Sequence, residues 1–506
     1  MRVLHFCVLF GALAPAVGAQ QAPDTVLVAR ILSAEDRRDS TDRAIADGMA
    51  SRDARVALIA RRALARIRDP RFVARDSFPA LPAPPAYADP AWRLRYRAVA
   101  GKRTDCPTIR AALVDSSWPV RLHAADVLKG ACYGDTSIVA ALRSWLPFAT
   151  KRTRSANDAA WQPAAHALVA LTWIAPQVAR EALPQFAQSD AHWLRVYAAR
   201  AADLLVDTLT LRALTHDPND NVKEAAVDGL FRIFGTADTA SYLAVLNAAG
   251  YQAVRAAARA LKGAAPTRPM RHALVTTAQR IRGDSSETSR DARMEVMARL
   301  AEMADAQMAG HIATLATDFD CVVAAKAAEI ATTLGTATAP RCTPFTRTLP
   351  KDAVRLALGA DVRVRVVMAL ASGGGSFVVR LRGDVAPIMA ARVLELVQAH
   401  FYDGRAWHRV EPDFVIQGPS PGDNEYVGYP RFLRDELGTV PHAHGTVGMS
   451  TRGHDTGDAQ WFVNLKDNLR LGRDYSVFGE IVEGIEVADG VLEGDVIERI
   501  EVVKGR

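Results

Sequence analysis

The pattern of apolar residues changes once along the chain, near residue 350, and this change limits what each part can fold into. From about residue 25 to 346 the sequence is rich in Ala, Leu and Arg, and its apolar residues recur at helical spacing. From Val362 onward, apolar residues alternate with polar ones, as in a β-strand. A chain of 506 residues also exceeds what one core usually organises, so we expect two or more domains.

One local pattern recurs in the first part: a polar turn with Asp or Pro, then Val or Leu, a basic residue and an Ala-rich helix. Neighbouring copies are mostly separated by the length of two helices with their turns. The copies begin at Asp53, Pro90, Ser117, Asp190, Asn221 and Ala253, with a degenerate last copy at Asp320. The pattern resembles HEAT repeats, whose helix pairs stack into an all-α solenoid. An irregular helical bundle is the alternative.

The second part begins with a predicted β-hairpin. Residues 362–368 and 377–381 alternate in polarity on either side of three glycines. Pro387 then opens a predicted helix, and short apolar runs with glycine turns fill the rest. We expect a mostly β domain that forms a closed barrel with covering helices. Between the early repeats, the proline-rich residues 76–90 predict a loop.

The first residues are typical of a cleavable secretory signal. Arg2 precedes an apolar run that ends in the small residues Val17, Gly18 and Ala19, and we expect cleavage after Ala19. The run is too short for a membrane anchor, and no later stretch predicts a membrane span. The protein is therefore expected in the periplasm or outside the cell. The predicted division is signal 1–19, helical repeats 20–346, linker 347–360 and barrel 361–506.

Four cysteines remain after the signal, an even number for a compartment that permits disulfides. Their separations suggest two local bridges, Cys106 to Cys132 and Cys321 to Cys342, although four cysteines allow three pairings. Four buried free thiols are an equally open alternative. Their spacing does not fit a zinc site, so no metal is expected.

The charge balance indicates no dedicated nucleic-acid surface. Lys and Arg number 62 against 56 Asp and Glu, a net charge of +6, and the arginines are scattered along the predicted helices. Solvated helix faces explain this pattern, and we expect no nucleic-acid partner. Binding of an acidic surface by the Arg-rich helices is a further possibility that this pattern leaves open.

Residues 401–418, which read FYDGRAWHRVEPDFVIQG, resemble the signature of the cyclophilin family. In this stretch Arg409 follows an aromatic and a His, and Phe414 and Gln417 come after a Pro turn. Further blocks follow in the family's order and approximate spacing. They are 428–429, 435–436, 444–450, 455–463 and 475–484.

This resemblance implies a peptidyl-prolyl cis/trans isomerase that acts on proline-containing clients. Arg409 would be the catalytic arginine, with Phe414 and Phe462 as walls of a proline pocket and Met449 as its floor. The implied catalytic residues are Arg409, Phe414 and Gln417, and the implied substrate-binding residues are Met449, Gln460, Phe462, Leu471 and Tyr475. Rotation about a peptide bond moves no proton, so we expect no cofactor, and we interpret His408 as a packed residue rather than a base.

Several residues near the expected groove depart from the family pattern. Pro419 replaces a glycine, residues 420–428 differ from the usual loop, and Arg452, Arg470 and Tyr475 replace other residue types. These departures leave a second function open, a proline-peptide-binding or holdase protein without turnover. In either case we expect the repeats to act as a scaffold for clients or for a protein partner.

Overall fold

The computed structural model describes residues 23–73, 77–155, 158–248, 250–343 and 345–503. The predicted signal, residues 1–19, lies outside this range. Within the described residues, no helix combines the length and the apolar character needed to cross a bilayer. The chain is helical as far as residue 333, and an antiparallel sheet follows from residue 362.

Most of the helices form two rows. The inner row consists of α4 (Ala91–Val99), α6 (Trp118–Asp126), α8 (Gln162–Ile174), α10 (His192–Leu205), α12 (Asp220–Phe234), α14 (Tyr251–Ala260), α16 (Arg290–Met303) and α18 (Cys321–Thr333). The outer row consists of α5 (Cys106–Ala112), α7 (Thr136–Trp145), α9 (Pro176–Ala187), α11 (Thr208–Leu214), α13 (Thr239–Ala248), α15 (Arg268–Arg282) and α17 (Ala309–Thr314). Each outer helix packs on the inner helix that follows it, and successive inner helices pack on one another. This stack of helix pairs confirms the predicted all-α body.

Polar residues at or just before the start of two copies of the repeated pattern cap inner helices α12 and α18. The side chain of Asn219 accepts a hydrogen bond from the backbone N–H of Asn221 at 2.9 Å, and Asp320 accepts one from Val322 at 3.0 Å. Such caps satisfy backbone donors that the first helical turn leaves free. Several of the alanines that follow, among them Ala226 and Ala327, are buried in the core of the helical body, where small side chains allow a close approach.

Both predicted local disulfides are present in the helical body. Cys106, the first residue of α5, is bonded to Cys132, and Cys321, the first residue of α18, is bonded to Cys342. Each bridge joins one helix start to a nearby connecting segment. The alternative of four free thiols is therefore wrong.

The second part of the chain is an eight-stranded antiparallel sheet in the order β3-β4-β6-β5-β7-β2-β1-β8. The strands are β1 (Val362–Met368), β2 (Ser376–Leu381), β3 (Arg409–Glu411), β4 (Val415–Gly418), β5 (Thr446–Met449), β6 (Trp461–Asn464), β7 (Val477–Glu483) and β8 (Ile497–Val503). Backbone hydrogen bonds between residues 404–407 and 494–497 join the two edges of the sheet. The predicted hairpin, β1 with β2, and the predicted barrel are both confirmed.

Three helices accompany the barrel: α19 (Ala353–Ala357), α20 (Pro387–Gln398) and α21 (Ile485–Asp489). Helix α20 begins at Pro387 as predicted, and nine of its 12 residues are buried. Helix α19 lies within residues 347–360, the segment predicted as a linker, and it packs on α20. This segment is therefore part of the packed structure.

The first three helices, α1 (Thr25–Arg37), α2 (Arg43–Met49) and α3 (Ala54–Arg68), share a hydrophobic core with the barrel. Helices α4 to α18 form a separate core. Packing thus groups α1 to α3 with the barrel, although their sequence resembles the other repeats. The helical body therefore contacts the barrel through α1 to α3, and Leu492 of the barrel in turn packs in the core of the other helices.

Candidate active site

A small apolar pocket lies on the outer face of the barrel, separate from the barrel core. Val415, Phe462 and Leu471 are buried together there, and the partly buried Phe414 and Tyr475 pack against them. The Tyr475 ring meets the Phe462 ring edge-on, with the ring centroids 5.6 Å apart. The structure therefore brings four of the predicted residues into one aromatic-sided pocket.

The alternation of side chains along β5 and β6 decides which residues reach this pocket. Gly448 pairs with Phe462, and Met449 pairs with Trp461. Paired residues lie on the same face of a sheet, and successive residues lie on opposite faces. A Cβ on Gly448 would come within 2.5 Å of the Phe462 ring, so glycine leaves room for that ring. Met449 is instead buried in the barrel core with Trp461, which corrects its predicted place on the pocket floor.

Arg409 and Gln417 stand beside the pocket as partners across β3 and β4. Arg409 Nη1 donates to Gln417 Oε1 at 3.1 Å, and Gln417 Nε2 donates to Ser450 Oγ at 2.8 Å. The guanidinium carbon lies 5.9 Å from the centre of the Phe414 ring. Gln417 is buried and Arg409 is half exposed, so Gln417 orients a cation that can still reach a ligand.

A second arginine contacts the same aromatic ring. The guanidinium carbon of Arg470, one of the departures from the family pattern, lies 4.8 Å from the centre of the Phe414 ring. Cations are attracted to the faces of aromatic rings. Two guanidinium groups, those of Arg409 and Arg470, therefore lie near the ring of Phe414 at the mouth of the pocket.

His408 is uncharged at neutral pH. Burial is the main cause, with the neighbouring Arg409 charge second, and together they lower the pKa of His408 to about 3. Neither ring nitrogen of His408 has a hydrogen-bond partner among the described residues. A histidine in this state does not act as a base near pH 7, which agrees with its interpretation as a packed residue.

His442 supports the pocket from behind, a role that the sequence did not reveal. Its ring stacks on Phe462 with centroids 5.7 Å apart and planes 18° from parallel. Asn464 Nδ2 lies 3.1 Å from His442 Nδ1, and His442 Nε2 lies 3.0 Å from the backbone oxygen of Tyr475. These partners assign the proton to Nε2, because Nδ1 must accept and Nε2 must donate. His444 and His454, its neighbours in sequence, instead contact separate carboxylates.

Gln460 lies beneath the segment 419–434, which we call the rim loop. Its Nε2 donates to the backbone oxygen of Val427 at 3.2 Å, and the residue is 2% exposed. The rim loop therefore separates Gln460 from the open groove. The implied role of Gln460 in holding the substrate stays a prediction.

The rim loop, which departs from the family pattern, docks on the helical body. Asn221 of α12 donates to the backbone oxygen of Gly422 at 2.9 Å. The guanidinium carbon of Arg255, on α14, lies 4.7 Å from the centre of the Tyr426 ring. Arg452, another departure, donates through Nε to Asp291 of α16 at 2.6 Å. These departures therefore contact a partner domain within the same chain.

A cavity of about 1140 Å³ lies between the pocket side of the barrel and the inner row of helices. We call it the chamber. Arg409 and Gln417 line the barrel side, and the rim loop lines one margin. The helical side includes Asp126, His166, Tyr197, Glu224, Asp228 and Gln252, from α6, α8, α10, α12 and α14. A ligand that contacts Arg409 therefore occupies a space that faces the helical body.

Comparisons with known proteins agree with this geometry. Residues 365–504 match the family model "Cyclophilin type peptidyl-prolyl cis-trans isomerase/CLD". Peptidyl-prolyl cis-trans isomerase B of Bacillus subtilis is 33% identical over 135 residues, which cover 26% of this chain and 94% of that protein. A peptidyl-prolyl cis-trans isomerase of Helicobacter pylori is 32% identical over 130 residues, 25% of this chain and 80% of that protein.

A solved cyclophilin-type isomerase from Cryptosporidium parvum aligns over its whole length with 29% of this chain, at 19% identity and a TM-score of 0.27. On the evidence of the family model and the curated relatives, the chain belongs to the cyclophilin-type peptidyl-prolyl cis-trans isomerases. It is an enzyme that interconverts the cis and trans forms of the peptide bond before proline.

Proposed function

We propose that Arg409 is the catalytic group and that the pocket of Phe462, Leu471 and Val415 holds the proline ring of the substrate. The observation that carries this proposal is the Arg409 guanidinium, bound to Gln417 at the edge of an apolar pocket. Ser450 holds the far side of the Gln417 amide and so fixes the direction of the arginine.

The physical reason lies in the electronic change on rotation. Resonance keeps the peptide bond planar with a rotation barrier of about 18–20 kcal/mol. In the twisted state the conjugation is lost, and the proline nitrogen regains a lone pair. A guanidinium beside that nitrogen stabilises the twisted state more than the planar one, because it stays charged and offers several donors. The reaction breaks no bond, so no nucleophile is needed.

Removal of the guanidinium tests this proposal. In the full chain, Arg409→Ala is expected to lower kcat/KM on a proline peptide by roughly 100- to 1000-fold, the usual effect of losing one transition-state donor. Exchange spectroscopy between cis and trans peptide signals measures the rate directly. Arg363→Ala is the matched control, since Arg363 is an arginine of β1 that pairs with Asp361. Retention of activity within about threefold of wild type would remove Arg409 from the mechanism.

We further propose that the enzyme is exported and acts on exported polypeptides. The signal-like first residues and the two disulfides, Cys106–Cys132 and Cys321–Cys342, support this proposal, because disulfides persist in oxidising compartments. Protein recovered from the periplasm or the medium is expected to begin at Gln20 by N-terminal sequencing. Full-length protein that begins at Met1 and stays in the cytosol would contradict it.

The helical body is proposed to serve as a docking surface for the client polypeptide. The chamber supports this role, because Arg409 and Gln417 share it with side chains of six inner helices, from α4 to α14. A client that reaches the proline pocket must place its flanking residues against those helices. The chemistry of the helical side then decides which clients are accepted.

A further inference from the structure

Acidic side chains outnumber basic ones around the chamber, although the whole chain carries a net charge of +6. The helical side contributes the carboxylates of Asp126, Asp203, Glu224 and Asp228. The barrel side contributes those of Glu411, Asp423, Glu425 and Glu493. Against them stand the guanidinium groups of Arg200, Arg232 and Arg409. The surroundings of the catalytic groove are therefore more acidic than the chain as a whole.

Two of the helical carboxylates are open to a ligand. The side chain of Asp126 is 48% exposed and contacts Nδ1 of His166, and that of Asp228 is 50% exposed and pairs with Arg259 on α14. Asp203 is less available, because it is mostly buried in an ion pair with Arg232. Asp126 and Asp228 belong to different inner helices, α6 and α12, so they can contact different residues of one extended peptide.

An acidic surface alone does not indicate a ligand, but here it shares a cavity with the proline groove. Arg409 and Gln417 line the same space as Asp126 and Asp228, so a peptide bound for isomerisation lies in it. The chamber volume of about 1140 Å³ slightly exceeds the upper range of small-molecule sites. That volume suits several residues of an extended chain and is far too small for a folded domain.

We infer that the helical side of the chamber is a second subsite of the isomerase, which selects extended client segments with Lys or Arg near the proline. Opposite charges across an interface raise the encounter rate and disfavour partners of the wrong sign. The inner helices would thus add a charge preference to a reaction whose chemistry is indifferent to charge. This inference rests on the proposed function, because it needs proline substrates in the groove.

The test compares three proline peptides that differ only in flanking residues: Lys, Glu or uncharged Ser. The full chain is assayed by exchange spectroscopy at about pH 8 and about 20 mM salt, since burial raises the pKa of Glu224 to about 7 and that of Asp423 to about 6. We expect kcat/KM for the Lys peptide to exceed that for the Glu peptide by about tenfold. About 0.5 M salt should reduce this ratio severalfold.

Paired substitutions locate the source of the preference. Asp126→Asn with Asp228→Asn is expected to lower the Lys-to-Glu ratio about fivefold. Asp47→Asn with Asp190→Asn is the matched control. Asp47 lies on α2 and Asp190 in the turn before α10, and both are exposed and outside the lining of the chamber. The control should keep the wild-type ratio.

The outcomes separate this inference from the proposed function. If the uncharged peptide is not accelerated, the proposed function itself fails. If the uncharged peptide is accelerated but wild type treats the Lys and Glu peptides alike, the charge subsite is wrong and the isomerase stands. The salt dependence of the wild-type ratio needs no variant, so the inference stays testable even if the double substitution destabilises the helical body.

Discussion

The helical body meets the barrel in two regions of different character. Helices α1 to α3 contribute to the barrel's own hydrophobic core, together with α19 and α20. The inner helices from α6 to α16 keep a separate core and meet the barrel largely through hydrogen bonds, ion pairs and aromatic contacts around the chamber. The first region positions the two parts, and the second leaves space between them for a ligand.

A buried arginine links α3 to the barrel in the first region. Arg66 is 1% exposed, and its Nη1 donates to Glu35 Oε1 at 2.9 Å. Its Nε donates to the backbone oxygen of Leu437 at 2.7 Å, and its Nη2 donates to that of Val385 at 2.8 Å. Nη2 also donates to the backbone oxygen of Glu436 at 3.1 Å. One guanidinium thus pairs with a buried carboxylate of α1 and donates to three carbonyl groups of the barrel domain.

The largest expected effect on stability follows from removing this group. Arg66→Met should lower the free energy of unfolding by about 3–5 kcal/mol, because it leaves Glu35 buried without its partner. Urea unfolding followed by tryptophan fluorescence measures the change. Arg61→Ala on the same helix is the control, since Arg61 is exposed and should change the stability by less than about 0.5 kcal/mol. A loss of less than 1 kcal/mol for Arg66→Met would mean that α1 to α3 do not hold the barrel.

The second region includes one apolar anchor among its polar contacts. Leu492 of the barrel packs in the core of the helical body, and Gly494 approaches Trp161 so closely that a Cβ would lie 2.7 Å from the ring. Nearby, Tyr197 of α10 donates to Glu493 Oε2 at 2.6 Å, and Gln162 of α8 donates to the backbone oxygen of Glu493 at 2.9 Å. These contacts fix one margin of the chamber and the rim loop fixes another.

Local patterns predicted much of this architecture. The recurring polar turns predicted where helices begin, because a residue such as Asp320 accepts a hydrogen bond from a backbone N–H only two residues further along the chain. The hairpin of β1 and β2 follows from alternation in the same way. The same alternation could have separated Met449 from the pocket: Gly448 must face Phe462, so Met449 must face the barrel core. Val415 was likewise predictable as a pocket residue, because it shares a strand face with Gln417.

The chamber could not be predicted from such patterns. Asp126 and Arg409 are separated by most of the helical body in sequence, and each is an ordinary charged residue within its own segment. Their common cavity depends on how many helix pairs lie between them and on how the first three helices attach to the barrel. The departures at Pro419 and Arg452 signalled an unusual rim. Their partners on α12 and α16 could be named only from the fold.

A smaller effect is expected where the rim loop is tied to the helical body. Arg452 Nε donates to Asp291 at 2.6 Å, Nη2 donates to the backbone oxygen of Thr288 at 3.4 Å, and Nη1 donates to the backbone oxygen of Glu425. Arg452→Ala removes these bonds, and water can replace part of them because the side chain of Asp291 is 34% exposed. Local opening of the rim loop should become easier by about 1–2 kcal/mol, which is a 5- to 30-fold rise in amide exchange.

Hydrogen exchange of residues 419–434 measures this change, and the exchange of α20 in the barrel serves as the internal reference. Arg499→Ala is the control, because Arg499 lies half exposed on β8 and pairs with the neighbouring Glu498 and Glu501. Faster exchange confined to the rim loop would show that the contacts around the chamber open locally, while the hydrophobic core that the barrel shares with α1 to α3 stays folded. Equal acceleration in α20 would contradict the distinction between the two regions, because the barrel would then depend on the rim contacts for its own stability.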